Sequence, residues 1–340
     1  MPTRVAIVGV TGYAGGELAR LLLRHPEARL VAAVARSHQG EPLRAAQPHL
    51  HSAPESIVIG SDVGDAEVVF TALPAGEAAR QAGRWLDDGR IVIDIGSDFR
   101  LRDPKLYERW YGYAHPAAAL LKEAVYGLTE LTRDRIRGAR VIANPGCYPT
   151  ASLLALAPAL KARLVTEDIV VDAKSGVSGA GHNLDDAYLF GTIDESVRPY
   201  GLPRHRHTPE IAQEAAILLG ATPRLTFTPH LIPMTRGLIA TCYAPLRPGK
   251  TSKDVADAYS REYAEEPFVR MVDSFPATKA TLGSNWCLVH AVVDEDSARL
   301  VAFAVLDNLV KGAAGSAIQN FNARLGYPET MGLEALPLWP

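Results

Sequence analysis

Two short stretches carry residue types able to do covalent chemistry. The first is Asn144-Pro145-Gly146-Cys147-Tyr148-Pro149, where an apolar run ends and a helix-like run begins at once. A helix starting just after Cys147 places its positive dipole end beside the sulfur and favours the thiolate. Gly146 permits a sharp turn, and Pro149 suits a first helical turn, where its missing N–H leaves no bond unmade. The second stretch is Tyr200–Ile211, in which His205 and His207 alternate with Arg204 and Arg206. In an extended segment alternate residues share a face, so the two histidines would point one way and the two arginines the other. Histidine is the side chain best suited to proton transfer near neutral pH. Thr208-Pro209-Glu210 reads as a helix start, with Glu210 favourable in the first turn. The plain alternatives are a buried structural cysteine and a solvated basic loop. Cys242 and Cys287 lie inside apolar β runs and are assigned to the core. His182 and His230 are weaker proton carriers, and His25, His38, His49, His51 and His115 have nothing to single them out.

A third stretch, near the N-terminus, is a glycine corner: Gly9-Val10-Thr11-Gly12-Tyr13-Ala14-Gly15 closes a β-rich run and opens a helical one. Glycines there allow a tight turn and close approach of the backbone to a pyrophosphate, with the helix N-terminus adding N–H groups and a positive dipole. Gly9, Thr11, Gly12, Tyr13, Ala14 and Gly15 are the expected contacts to a dinucleotide. The second β run ends in Ala35-Arg36-Ser37, without the acidic residue that NAD sites use on the ribose. Arg36 would instead pair with a 2′-phosphate and Ser37 would bond to it, which points to NADP(H). A thiolate beside a nicotinamide suggests one reaction. The sulfur takes an acyl group as a thioester, and hydride reduces it to an aldehyde, splitting one hard step into two easier ones. A free carboxylate is too poor an acceptor, so the acyl group should arrive as a phosphate or thioester.

These residues need a frame. In the first 147 residues, apolar β runs alternate with helical ones: Arg4–Val10, Arg29–Arg36, Glu67–Pro74, Arg90–Ser97 and Ala139–Gly146. That order implies right-handed βαβ units and a Rossmann-like, doubly wound parallel sheet. From 148 to 307 the β runs are longer and joined by turns, with few helices, which implies an α+β domain with a mixed or antiparallel sheet. The last helical run, Asn308–Gly326, follows that second region. The stretch Tyr148–Arg163 links the two. The chain has 340 residues and a net charge of -3, which gives no electrostatic case for nucleic acid or an anionic membrane. No apolar run reaches the ~18 residues of a membrane span, and the N-terminus lacks the pattern of a signal peptide. Three scattered cysteines favour neither a disulfide framework nor a metal site, so a cytoplasmic protein without a metal is expected.

The segments GYAGGEL, SDFRL (Ser97–Leu101), NPGCYPTA (Asn144–Ala151), SGVSGAG (Ser175–Gly181), HRHTPEI (His205–Ile211) and NLVKGAAGSAIQNFN (Asn308–Asn322) occur in this order. Together they resemble the N-acetyl-γ-glutamyl-phosphate reductase family, within the semialdehyde dehydrogenase group, over essentially the whole chain. The resemblance implies a reductase of arginine biosynthesis that is usually homo-oligomeric, as a dimer or tetramer. It implies Cys147 as nucleophile and favours His207 over His205 as acid/base. It implies Arg100 and Asn144 on the acyl phosphate, with Ser178, His205, Arg206 and Glu210 as further substrate contacts. It also places Gly179 and Asn308 near the nicotinamide, and implies that the last helix returns to the first domain, so that 308–340 completes it. One departure is Gly201-Leu202-Pro203-Arg204, where many relatives carry glycines; Pro203 stiffens the approach to the histidines. Competing expectations are a reductase of aspartyl or carrier-bound aminoadipyl phosphate, a non-catalytic NADP(H) sensor and a Cys–His hydrolase.

Overall fold

The structure, a computed structural model, describes residues 1–182 and 184–339. Pro340, the end of the expected C-terminal segment, lies outside the described residues. The chain divides into two compact units, Met1–Gly146 with Ala313–Ala335, and Cys147–Gly312 with the terminal residues from Leu336. The divisions expected from the sequence are at 147/148 and 307/308.

The first unit runs β1 (Thr3–Val8), α1 (Tyr13–Leu22), β2 (Ala28–Val34), α2 (Leu43–Ala46), β3 (Ile59–Gly60), β4 (Val68–Thr71) and α3 (Glu77–Asp87). It continues with β5 (Ile91–Asp94), α4 (Lys105–Tyr111), β6 (Val125–Tyr126), α5 (Thr129–Ile136) and β7 (Val141–Ala143). The second unit holds α6 (Cys147–Lys161), β8 (Asp168–Ser175), α7 (Phe190–Ile193), β9 (Arg198–Pro199), α8 (His207–Leu219), β10 (Arg224–Leu231) and β11 (Leu238–Pro245). It ends with α9 (Ser252–Tyr263), β12 (Val269–Met271), β13 (Cys287–Asp294) and β14 (Arg299–Leu306), before α10 (Gly315–Leu325) returns to the first unit.

The first sheet has the order β3-β2-β1-β4-β5-β7-β6, and its strand pairs are parallel. It is the expected Rossmann-like sheet. Its strands are runs of valine, isoleucine and alanine with both faces covered; Val5, Ala6 and Ile7 are fully buried. The strands β3 and β6 were not expected, because two residues are too few to show a period. The chain starts in the middle, steps outward to β2 and β3, then crosses back to β4. The switch in direction lies between β1 and β4, where such sheets bind ligands beyond their carboxyl ends. In α10, Asn322 donates from Nδ2 to the carbonyls of Glu329 and Met331, while its Oδ1 lies 2.9 Å from His25 Nε2. One buried amide thereby ties together α10, the segment after it and the turn after α1.

The second sheet has the order β12-β13-β14-β11-β8-β10-β9 and is mixed, with β8/β10 and β12/β13 parallel and the other pairs antiparallel. Along β8 burial alternates: Ile169, Val171, Ala173 and Ser175 are buried, and Val170, Asp172 and Lys174 are half-buried. That alternation is what one helix-covered face produces. Helices α6, α8 and α9 provide the cover.

Helix α6 is apolar around its whole circumference, as a helix enclosed on every side must be. Pro158 lies inside it and cannot donate to the carbonyl of Leu154, four residues earlier. The hydroxyl of Tyr263, from α9, donates to that carbonyl instead. Tyr259 donates to the carbonyl of Ala155 at 2.6 Å. Both tyrosines are buried, so each phenol finds its partner inside the core. Tyr263→Phe leaves the Leu154 carbonyl without that donor. It should lower unfolding free energy by about 1–2 kcal/mol, read in urea as a lower midpoint at an unchanged slope.

Candidate active site

The glycine corner lies at the switch between β1 and β4. Gly9 has φ +96°, and a Cβ there would sit 2.3 Å from the carbonyl oxygen of Ala72, just past β4. A Cβ on Gly15 would sit 2.2 Å from the carbonyl oxygen of Gly9. Only glycine fits at these two positions, whereas Gly12 has ordinary clearance, 3.6 Å from the nearest atom. Gly12 is the N-cap of α1 and supplies no side-chain acceptor. The leading amides of this ten-residue helix therefore suit an anion. Thr11 and Ala14 are half-buried on this turn, and Tyr13 is exposed. Gln47 braces the turn by donating from Nε2 to the carbonyl of Val10 at 2.9 Å. Nothing in the local sequence pattern pointed to Gln47, which lies 37 residues away.

Past β2, Arg36 is 88% exposed and pairs with Glu77 at 2.5 Å, while Arg80 reaches the other oxygen of Glu77 at 3.3 Å. The hydroxyl of Ser37 lies 3.5 Å from that of Thr11. A glycine turn of this geometry, uncapped helix amides and an exposed arginine with two hydroxyls fit a dinucleotide that carries an extra phosphate.

Arg100 and Asn144 lie in the same unit, and both are buried. Arg100 donates from Nε to the carbonyl of Asn144 at 2.9 Å and from Nη2 to that of Ile95 at 2.8 Å. The carboxamide of Asn144 accepts from Asn320 Nδ2 at 3.0 Å and donates to the carbonyl of Ala313 at 3.1 Å. The same unit holds two further buried acids, Asp94 and Asp98, neither of them a candidate from the sequence. Asp98 accepts from the amides of Gly76 and Ala79 and so caps α3, whose own N-cap is a glycine. Asp94 accepts from Thr71, Gly96 and the amide of Asp98. Burial, with Asp98 nearby, pushes the Asp94 carboxyl up to about 7.

In the second unit, Cys147 is the first residue of α6 and is half-buried. A Cβ on Gly312 would come within 2.8 Å of its Cβ, so glycine is what lets the π-helical turn Val310–Ala314 pass so closely. Cys242 and Cys287 are fully buried, and burial pushes the Cys242 thiol far up. Tyr148, buried beside the nucleophile candidate, donates to the carbonyl of His230 at 3.2 Å and accepts from Tyr200 at 3.1 Å. Its ring meets both His205 and His207 edge-on at 5.9 Å between centroids. The structure thus brings both histidines of the second stretch against the residue next to Cys147.

The segment 204–207 is not extended throughout, because α8 starts at His207. Burial still alternates as expected, with His205 and His207 half-buried and Arg204 and Arg206 exposed. Glu210 is fully buried in the first turn of α8. Burial and the neighbouring Arg206 lower His205 to about 4. Of the other histidines, His230 faces Asp172 on the sheet at 3.1 Å, and His182 is exposed. Asn308 donates from Nδ2 to the Ser178 hydroxyl at 2.9 Å and accepts from the amide of Gly237 at 2.8 Å. It therefore holds the loop Ser175–Gly181, on which Ser178 is buried and Gly179 exposed.

His205 has a stability consequence of definite sign. Its folded pKa lies below the unfolded value, so its contribution is complete above about pH 6.5 and is lost as pH falls toward about 4. Asp94 works in the opposite sense, losing its contribution as pH rises toward about 7. Comparing wild type with His205→Asn at each pH cancels the Asp94 effect. The stability difference should shrink on acidification across that window, with a slope of up to ~1.4 kcal/mol per pH unit. Urea unfolding at a series of pH values checks it, and a difference that widens toward low pH contradicts it.

Residues 4–139 match the semialdehyde dehydrogenase NAD binding domain, and residues 147–308 match the semialdehyde dehydrogenase dimerisation domain. A protein from Symbiobacterium thermophilum named N-acetyl-gamma-glutamyl-phosphate reductase is 48% identical over 350 aligned positions, covering 100% of each chain. Aspartate semialdehyde dehydrogenase II from Vibrio cholerae has a similar fold, with a TM-score of 0.73 at 18% identity over 96% of this chain and 99% of that one. So does an aspartate semialdehyde dehydrogenase from Candida albicans solved with NADP, with a TM-score of 0.69 at 15% identity over 97% and 100%. Matched along its full length to the first of these and carrying both domains, the chain belongs to the N-acetyl-gamma-glutamyl-phosphate reductase family of semialdehyde dehydrogenase enzymes.

Proposed function

We propose that the chain reduces N-acetyl-γ-glutamyl phosphate to N-acetylglutamate semialdehyde and inorganic phosphate, in arginine biosynthesis, using NADPH and a thioester on Cys147. The observation that carries this reading is Cys147 at the start of a buried helix, with Tyr148 packed on both His205 and His207. The family's full-length relatives bear the corresponding name.

The start of α6 is an electropositive place for sulfur to carry negative charge. The Cys147 thiolate attacks the acyl carbon, and the carbon–oxygen bond to phosphate breaks, leaving the acyl group on sulfur. When bound, the nicotinamide supplies the hydride that takes the acyl carbon to the aldehyde level. His207 protonates the oxygen that becomes anionic as the thioester carbon turns tetrahedral. It takes the proton back as the aldehyde leaves and the thiolate is restored. Arg206 and Glu210 are offered as substrate contacts at the start of α8, and Ser178 with Gly179 as the loop bordering the reacting groups. Asn308 fixes that loop. Gly9 to Gly15 hold the pyrophosphate, and Arg36 with Ser37 and Thr11 take the 2′-phosphate. Arg100 and Asn144 are offered as contacts to the acyl phosphate. The enzyme works in the cytoplasm as a homodimer or homotetramer. A dimerisation domain supports the assembly, and among the described residues no helix is long and apolar enough to cross a membrane.

The test is phosphate-dependent NADP⁺ reduction with N-acetylglutamate semialdehyde. Cys147→Ser should lower the rate by ~10³-fold or more; equal rates discard the mechanism. Turnover favouring aspartate semialdehyde or the aminoadipate homologue would reassign the substrate. Arg36→Ala should weaken NADPH binding about tenfold while leaving NADH binding nearly unchanged, measured by fluorescence titration. A parallel loss for both cofactors removes the 2′-phosphate role.

A further inference from the structure

We infer that His205 is a positioning residue for His207: its imidazole takes the place of the missing side-chain cap of α8 and fixes where that helix, and with it His207, begins. This rests on the assignment of His207 as proton carrier in the proposed function, and gives His205 a task other than touching substrate.

The leading amides of a helix need acceptors. Helix α8 starts at His207, and the residue at its N-cap position, Arg206, offers no side-chain acceptor. The amide of His207 donates to His205 Nδ1 at 3.1 Å. The amide of Thr208 donates to the His205 carbonyl at 3.0 Å. One residue therefore receives the first two amides of the helix that carries His207. Accepting at Nδ1 requires that nitrogen to be bare, so in the neutral ring the proton sits on Nε2. A proton on Nδ1 would set donor against donor and release the first turn. A ring committed in this way cannot carry a catalytic proton on Nδ1 without letting go of the helix.

The surroundings hold the ring in that state. Tyr148, Tyr200 and Phe227 meet it edge-on at 5.9, 5.4 and 5.2 Å between centroids, and His207 lies at 4.9 Å. The titratable or charged groups facing it are thus Tyr148 from α6, Tyr200 from the segment after β9, and Arg206 and His207 from its own stretch. Burial in this cage, with Arg206 adjacent, keeps the ring neutral down to about pH 4. Gly201 completes the fit. At φ +69° it carries no side chain, and a Cβ there would lie 2.8 Å from His205 Cδ2. The glycine four residues before the histidine leaves the space the ring occupies.

Three variants and one spectrum test this. His205→Phe keeps a ring of similar bulk but has no acceptor. Its kcat should fall about 10–100-fold, with KM changing less than about threefold, as expected for a misplaced catalytic group. His205→Asn restores a short acceptor of the kind favoured at N-caps and should recover most of that loss. Both should keep the limbs of the kcat–pH profile, and His207→Asn should remove one. A lost limb in His205→Asn, or wild-type kcat in His205→Phe, overturns the inference. So does a His205→Asn variant no faster than His205→Phe. Should His205→Phe fail to fold, imidazole ¹⁵N–¹H spectra of wild type decide. His205 should show the neutral Nε2–H pattern from about pH 8 to about pH 5, whereas an Nδ1–H or charged pattern overturns it. That spectrum needs no turnover, so the expected pattern in a protein inactive on the acyl phosphate would remove the proposed function and leave the tautomer standing.

Discussion

The proposed nucleophile, Cys147, is useful only if the helix behind it stays still. Helix α6 meets that constraint by being apolar on every side and enclosed by the second unit's sheet and by α8 and α9. A proline within it would ordinarily leave a carbonyl unpaired in the core, and the phenol of Tyr263 supplies the missing donor. The other end of the same helix carries Cys147 and Tyr148, and Tyr148 presses on both histidines. Packing deep in the unit and the proposed chemistry at its edge therefore share one helix.

In each unit, buried polar groups are occupied with holding main chain in place. Arg100 donates to two carbonyls, Asn144 binds through both ends of its amide, and Asp98 caps a helix about twenty residues away in sequence. Asp307 accepts from Leu309, Val310 and Gly283, and so orders the entry to the π-helical turn beside Cys147. Buried polar groups of this kind must find partners. The partners they find are turns, strand ends and helix starts.

This explains which parts of the molecule could be read from the chain and which could not. The parallel sheet was legible because its buried strands are continuous apolar runs, such as Val5–Val8 and Val68–Phe70, separated by helical spacing. The mixed sheet was legible from longer β-rich runs joined by turns, such as Asp168–Ser175. The glycine corner announced itself because backbone crowding restricts Gly9 and Gly15 to one residue type. The supports did not. Gln47 under the corner, Gly312 against Cys147 and Tyr263 on Leu154 act across separations of 37 to 165 residues, and no local period encodes such pairings. By alternation alone the two histidines look equivalent, and only the family resemblance favours His207; the structure adds that α8 starts at His207.

The placement of the three thiols has a practical reach. Cys242 and Cys287 are sealed in the core while Cys147 is only half-buried, so a disulfide reagent added to the native protein should titrate a single sulfur, and to the denatured chain three. The molecule thus carries its own stoichiometric gauge of global opening, and a spectroscopic tag can be attached at one defined place without first building a background free of the other two.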